Sequence, residues 1–140
     1  MAAEAFPASV LSSDTNWSVD ICFTCTDVSA IPSNGSALFG RSGTKDVDRF
    51  DMLVYDYQYV IGGYGGVNYT MDTNKHVFTA SHTSSNLVTI YMDGIFGYTW
   101  TVLSNIREYP IYIGYNGNDR KGYPFIIHYI RIRNTTAAFN

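Results

Sequence analysis

The chain has 140 residues, 46% of them apolar and 16% aromatic, with only 15% charged and a formal charge of −3 at neutral pH. That length buries one substantial core without help from disulfides or metals, and it reads as a single domain over 1–140. The small acidic charge supplies no basic field for phosphate contacts, which argues against nucleic acid as a partner.

Residues 1–16 carry no positive region followed by an apolar stretch, so they read neither as a signal peptide nor as a membrane anchor. They are expected to form an extension or an edge segment. Later in the chain, PFIIHYIRIR is broken by His128 and Arg131, so no membrane insertion is expected.

The first clear strand is WSVDICFTCT, residues 17–26. Its period-two alternation sends Trp17, Val19, Ile21, Phe23 and Cys25 inward and Ser18, Asp20, Cys22, Thr24 and Thr26 toward water. The same alternation decides the reading of Cys22-x-x-Cys25. Three residues along an extended strand separate the two Cα atoms by roughly 10 Å, beyond the roughly 7 Å a disulfide tolerates. A zinc site needs two further ligands, which His76, His82 and His128 do not supply at a suitable spacing. Two separate strand thiols are expected.

VSAIPSNGS then leads to a short strand at Ala37–Gly40, and a charged loop runs from Arg41 to Arg49. Strands are expected over 50–55 and 57–61 around a turn at Asp56. GGYGG at 62–66 reads as a turn, because a phosphate loop must open a helix and end in Lys-Ser/Thr. Further strands are expected over 67–71, 76–82, 110–115 and 123–133. No segment sustains a 3.6-residue period, so ten to twelve short strands imply an all-β sandwich or jelly roll.

Between these lies NLVTIYMDGIFGYTW, residues 86–100. Asp93-Gly94 between two β-rich runs predicts a tight hairpin. Pairing Met92 with Ile95 under strict alternation puts Val88, Ile90, Met92, Ile95 and Thr99 on one face. Leu87, Thr89, Tyr91, Phe96, Tyr98 and Trp100 fall on the other. Both faces are apolar, whereas an ordinary two-sheet protein buries one.

The order of segments resembles the concanavalin A-like, laminin-G-type jelly roll over roughly residues 17–134. The resemblance rests on the WSVDICFTCTD strand, ALFGRSG, the His76-Val77 pair and the Tyr91-Met92-Asp93-Gly94 hairpin. Tyr112-Ile113-Gly114 and the closing Ile130-Arg131-Ile132-Arg133-Asn134 complete it. It implies an antiparallel two-sheet jelly-roll sandwich of the lectin/glucanase type. It places Ile90 and Met92 inward, so Val88, Ile90, Met92 and Ile95 are expected in the core and Tyr91, Phe96, Tyr98 and Trp100 on the outer face. Where members often carry Trp before the His-Val pair, this chain has Asn74-Lys75. Many members hold calcium at one rim. Here Asp46, Asp48, Asp51 and Asp72 form no compact ligand pattern and read as a solvated acidic loop, so no metal or cofactor is expected.

The fold that this resemblance implies also carries β-glucanases, so the placement of carboxylates bears on catalysis. Retaining glycoside hydrolysis needs two carboxylates about 5.5 Å apart. The chain has only two Glu, Glu4 and Glu108, and no acids at i, i+2 and i+4 on one strand. Ser81 and His82 are adjacent and diverge on a strand. The reading is non-enzymatic.

Low charge and an excess of Tyr, Asn, Ser, Thr and Gly resemble phage virion and tail-appendage proteins and bacterial adhesive modules. Tyr and Trp offer a flat apolar face to sugar C–H groups and a polar edge to hydroxyls. The expectation is a carbohydrate-binding or adhesion domain on a virion surface or outside a cell, taking a glycan or host-surface polysaccharide. Tyr91, Phe96, Tyr98, Trp100, Tyr115 and Asn116 are the expected ligand residues. The alternative is an assembly or decoration domain whose aromatic face meets a second copy or another virion protein. In a third reading, residues 5–11 or a long loop simply cover that face.

Overall fold

In the computed structural model the alternation becomes strands that bury one side against each other. The structure describes residues 4–6, 16–33, 35–41, 50–54, 58–61, 65–85, 87–101, 111–114 and 123–135. Within them lie β1 (Glu4–Phe6), β2 (Trp17–Cys25), β3 (Ser36–Arg41), β4 (Phe50–Val54), β5 (Gln58–Ile61), β6 (Gly65–Asn68) and β7 (Lys75–His82). These are followed by β8 (Leu87–Met92), β9 (Ile95–Thr101), β10 (Ile111–Ile113) and β11 (Phe125–Arg133). A 3-10 turn, Val28–Ala30, is capped by Asp27, whose Oδ1 accepts from the Ser29 N–H.

Six strands form one sheet in the order β1-β10-β3-β4-β5-β6 and five form the other, β11-β2-β7-β8-β9. All described pairings are antiparallel, so the architecture is the all-β two-sheet sandwich implied by the sequence. β1 pairs with β10, at the edge of its sheet away from β6. Residues 4–6 are therefore an edge strand and do not lie over the β8–β9 hairpin. β6 is shifted from the expected 67–71: Gly65 and Gly66 pair with Ile61 and Val60, so the second half of GGYGG is strand.

The core lies between the sheets. Trp17, Val19, Ile21, Phe23 and Cys25 of β2 meet Leu38, Phe39, Met52, Val54 and Tyr59 of the six-stranded sheet, with Phe78, Ala80, Val88, Ile90 and Met92 alongside. Trp17 stacks on His82, the residue opposite it on β7, with ring centroids 4.8 Å apart. Cys22 and Cys25 are both buried and do not bond to each other.

The other face of β2 corrects the expectation of a wet surface. Ser18, Asp20 and Cys22 are buried. Arg131 and Arg133 on the neighbouring β11 fold across this face. Arg131 Nε donates to Asp20 Oδ2 at 2.9 Å, and Arg133 donates from Nη2 to Asp20 Oδ1 at 2.8 Å and from Nε to Ser18 Oγ at 3.1 Å. Thr79 Oγ1 adds a third donor to Asp20 at 2.8 Å. The face is polar and dry because its hydrogen bonds are satisfied by side chains instead of water.

Candidate functional site

Asp93 and Gly94 adopt φ values of 52° and 79°, the left-handed pair that a two-residue Asp-Gly hairpin turn requires. Asp93 also fastens this turn to β7. Its N–H donates to Val77 O at 2.9 Å, and its Oδ1 accepts from the Val77 N–H at 2.8 Å. His76 Nδ1 lies 2.7 Å from Asp93 Oδ2, and its Nε2 lies 2.7 Å from Asp72 Oδ1. Burial of the ring lowers the His76 pKa, but hydrogen bonds and charge from Asp93 and Asp72 outweigh it, and the net shift is upward from 6.5. Asp72 is held below the ordinary carboxylate value, first by His76 and then by the Asn74 N–H.

Beyond the turn, strict alternation fails. Met92 faces Ile95 and Tyr91 faces Phe96, but Ile90 then faces Tyr98 and Val88 faces Trp100. Gly97 is the inserted residue of a β-bulge, which turns the rest of β9 over. Three expectations are corrected by it, those for Tyr98, Trp100 and Thr99. Tyr98 and Trp100 lie on the face of Ile90 and Val88, and Trp100 packs against the core. Thr99 lies with Thr89 on the opposite face, their Oγ1 atoms 2.8 Å apart. A separate correction concerns Ile95, which precedes the bulge and faces Met92 as expected but is 66% exposed and outside the core. The four rings thus form two pairs, Tyr91 with Phe96 edge-on at 6.3 Å and Tyr98 with Trp100 tilted at 5.0 Å.

The bulge opens a cleft of about 230 Å³ where the outermost strands of the two sheets, β6 and β9, approach. Val67, Asn68 and Tyr69 bound it on one side and Ile95, Phe96 and Gly97 on the other. Tyr59, Phe78, Ile90 and Met92 reach it from the core, with Tyr91 completing its lining. A Cβ on Gly97 would come within 3.0 Å of Ile90 O and 3.6 Å of Val67 Cγ2. The absence of a side chain is what lets the two strands stand this close around an open space. Burial raises the pKa of both Tyr59 and Tyr69, and the negative charges of Asp93 and Asp72 add to it, so both phenols remain protonated donors.

Of the residues expected from sequence, Tyr91 and Phe96 come together at this cleft, while Tyr98 and Trp100 sit farther along β9. Tyr115 and Asn116 lie outside the described residues, as do Asp46 and Asp48 of the acidic loop. Tyr123 is exposed in the turn before β11. Tyr59, Val67, Asn68 and Tyr69 were not anticipated. Their contribution depends on which strand of the other sheet lies opposite β9, and nothing local in 58–69 announces it. His128 is an exposed edge residue whose Nε2 lies 2.8 Å from Thr24 Oγ1. Among the described residues no group of three or more His, Cys, Asp or Glu is arranged to hold a metal, and no helix is long and apolar enough to cross a membrane.

No family model matches the chain, and no curated protein matches its sequence. Solved structures share its fold. Domain 4 of an extracellular arabinanase from Geobacillus stearothermophilus, solved with arabinotriose, superposes with a TM-score of 0.67 at 14% identity, covering 94% of this chain and 66% of that one. Mouse laminin alpha1 domains LG4-5 give 0.66 at 12% identity, over 93% of this chain and 38% of that one. A botulinum neurotoxin type C structure, described as entering cells through two ganglioside molecules, gives 0.64 at 14% identity over 91% and 34%. The chain therefore spans little more than a third of the length of the latter two. At these identities the likeness is one of fold: the chain is an all-β two-sheet jelly-roll sandwich, similar in fold to these domains.

Proposed function

We propose that the chain is a non-catalytic carbohydrate-binding module and that the β6/β9 cleft holds the sugar. The observation that carries this reading is the cleft's construction. Phe96, 61% exposed, forms an aromatic lip braced by Tyr91, with Val67 and Tyr69 on the other side, over a floor of core side chains. An apolar concavity with a few placed polar groups is the usual form of a small-ligand site, and an aromatic lip with phenol groups in the lining suits a pyranose, apolar on its C–H face and polar at its rim. The volume is below the roughly 300–1,000 Å³ of sites for drug-sized ligands, which suits a single terminal ring. The described lining includes no carboxylate, so it offers neither the acid nor the nucleophile of glycoside hydrolysis. Tyr98, exposed beside Trp100, extends the apolar surface along the same strand.

The arabinotriose-bound arabinanase domain and the ganglioside-dependent neurotoxin lend the reading support from fold neighbours. The low charge and the wealth of Tyr, Asn, Ser, Thr and Gly favour a place on a virion appendage or another extracellular surface. A glycan array tests it: saturable, sugar-competed signal is expected, lost in Phe96→Ala and in the cleft-filling Val67→Phe with folding intact.

A second reading is favoured by the exposure of Ile95, Phe96 and Tyr98 along one strand: the edge is a subunit or assembly interface. No array signal together with a defined oligomer in solution would support that reading instead.

A further inference from the structure

We infer, building on the carbohydrate reading, that the cleft selects uncharged sugars that present a methyl group and turns acidic sugars away. The inner wall is made of Phe78, Ile90 and Met92, each at most 5% exposed, with Val67 above them. A hydroxyl or hydroxymethyl pushed against this wall gives up its water without an equivalent replacement, whereas a methyl group loses nothing polar. The polar groups that can meet sugar hydroxyls are the phenols of Tyr69 and Tyr91. The Asn68 amide is not among them: it pairs with Gln58 on the face of its sheet opposite Tyr59 and Val67, and its Oδ1 accepts from Gln58 Nε2 at 3.1 Å. The cleft therefore orients a ring with its methyl inward and its hydroxyls at the lip. Two groups of sugars share that chemistry: 6-deoxyhexoses and N-acetylhexosamines.

Charge points the same way. The described lining contains no Lys or Arg. Asp72 and Asp93 act on Tyr59 and Tyr69 of the cleft, and the one cation between those carboxylates, His76, is held by both. Lys75 is no substitute: it pairs with Thr24, in register with the opposite face of the sheet. A sugar carboxylate entering here would be desolvated beside negative charge with no partner.

Isothermal titration of the full chain with free fucose, N-acetylglucosamine, glucose and 2-acetamido-2-deoxyglucuronic acid tests this. Fucose or N-acetylglucosamine, whichever methyl the cleft takes, should bind about ten-fold or more tighter than glucose, the discrimination one buried methyl brings in an apolar pocket. The uronic acid keeps the acetamido methyl and differs from N-acetylglucosamine only by its C6 carboxylate, so its failure to bind reads the effect of that charge. Val67→Phe, which fills the cleft, should remove binding. Equal affinity for glucose and the methyl-bearing sugars, or tightest binding of the uronic acid, overturns the selectivity and leaves the carbohydrate reading standing. Retained binding in Val67→Phe overturns the cleft as its site, and no binding of any of the four overturns both readings.

Discussion

The Nδ1 of His76 lies 2.7 Å from Oδ2 of Asp93, so the start of β7 grips the turn that joins the next two strands. Because Nε2 meets Asp72 as well, the arrangement is satisfied when both ring nitrogens donate, that is, when the imidazole is charged. Its folded pKa lies above the ordinary 6.5, so its stabilisation is complete below about 6.5 and fades as pH rises through the folded value. Asp72 is shifted the other way, and its contribution fades as pH falls through its lowered value. His76→Gln should therefore melt well below the parent in mildly acidic buffer, with the gap narrowing toward pH 9. Parallel melting profiles across that range would rule out the latch.

Asp20 accepts from Arg131, Arg133 and Thr79 while being 1% exposed. Asp20→Ala leaves buried Thr79 Oγ1 without its acceptor while the two guanidinium groups, on side chains 58% and 33% exposed, regain water, so it should cost about 1–3 kcal/mol. Arg131→Ala should lose less, because Asp20 keeps Arg133 and Thr79 as donors. Urea unfolding of the two variants gives the order.

Trp100 and Phe96 separate the observed register from strict alternation. Trp100, partly buried on the core, should cost roughly 2–3 kcal/mol when changed to Ala. Phe96→Ala should stay within about 0.5 kcal/mol. The reverse order would mean that β9 has no bulge.

Cys22 and Cys25 are buried free thiols, and burial raises the Cys25 pKa above its ordinary value. Both should resist a thiol reagent in the native protein, since the thiolate is the reactive form. Both should react fully in denaturant without prior reduction; an oxidised pair detected by mass would contradict this.

Most of the strands could be read directly, because period-two alternation is a one-dimensional signal: residues 17–25 and 75–82 fall where their patterns placed them. The Asp93-Gly94 turn was equally plain, its φ values demanding those residues. The face assignment of β9 was not, since a glycine in a strand is compatible with either a regular or a bulged ladder, and one inserted residue exchanges the two faces. The dry side of β2 was hidden for a related reason. Ser18 and Asp20 look like water-facing residues until β11, more than a hundred positions later, lays two arginines over them. The cleft joins residues 59–69 to 90–97 across two sheets, a relationship that exists only once the sandwich has closed.

Among the described residues β9 has a strand partner on one side only, and it shows Ile95, Phe96 and Tyr98 to solvent. A long flat strand of that kind is a template on which another chain's strand can add, the first step toward a fibre. The extra residue at Gly97 breaks the even spacing of N–H and C=O groups and sharpens the local twist, so an incoming strand can stay in register with only half of the edge at a time. One glycine thus lets the molecule display apolar rings at its margin without inviting its own copies to stack there.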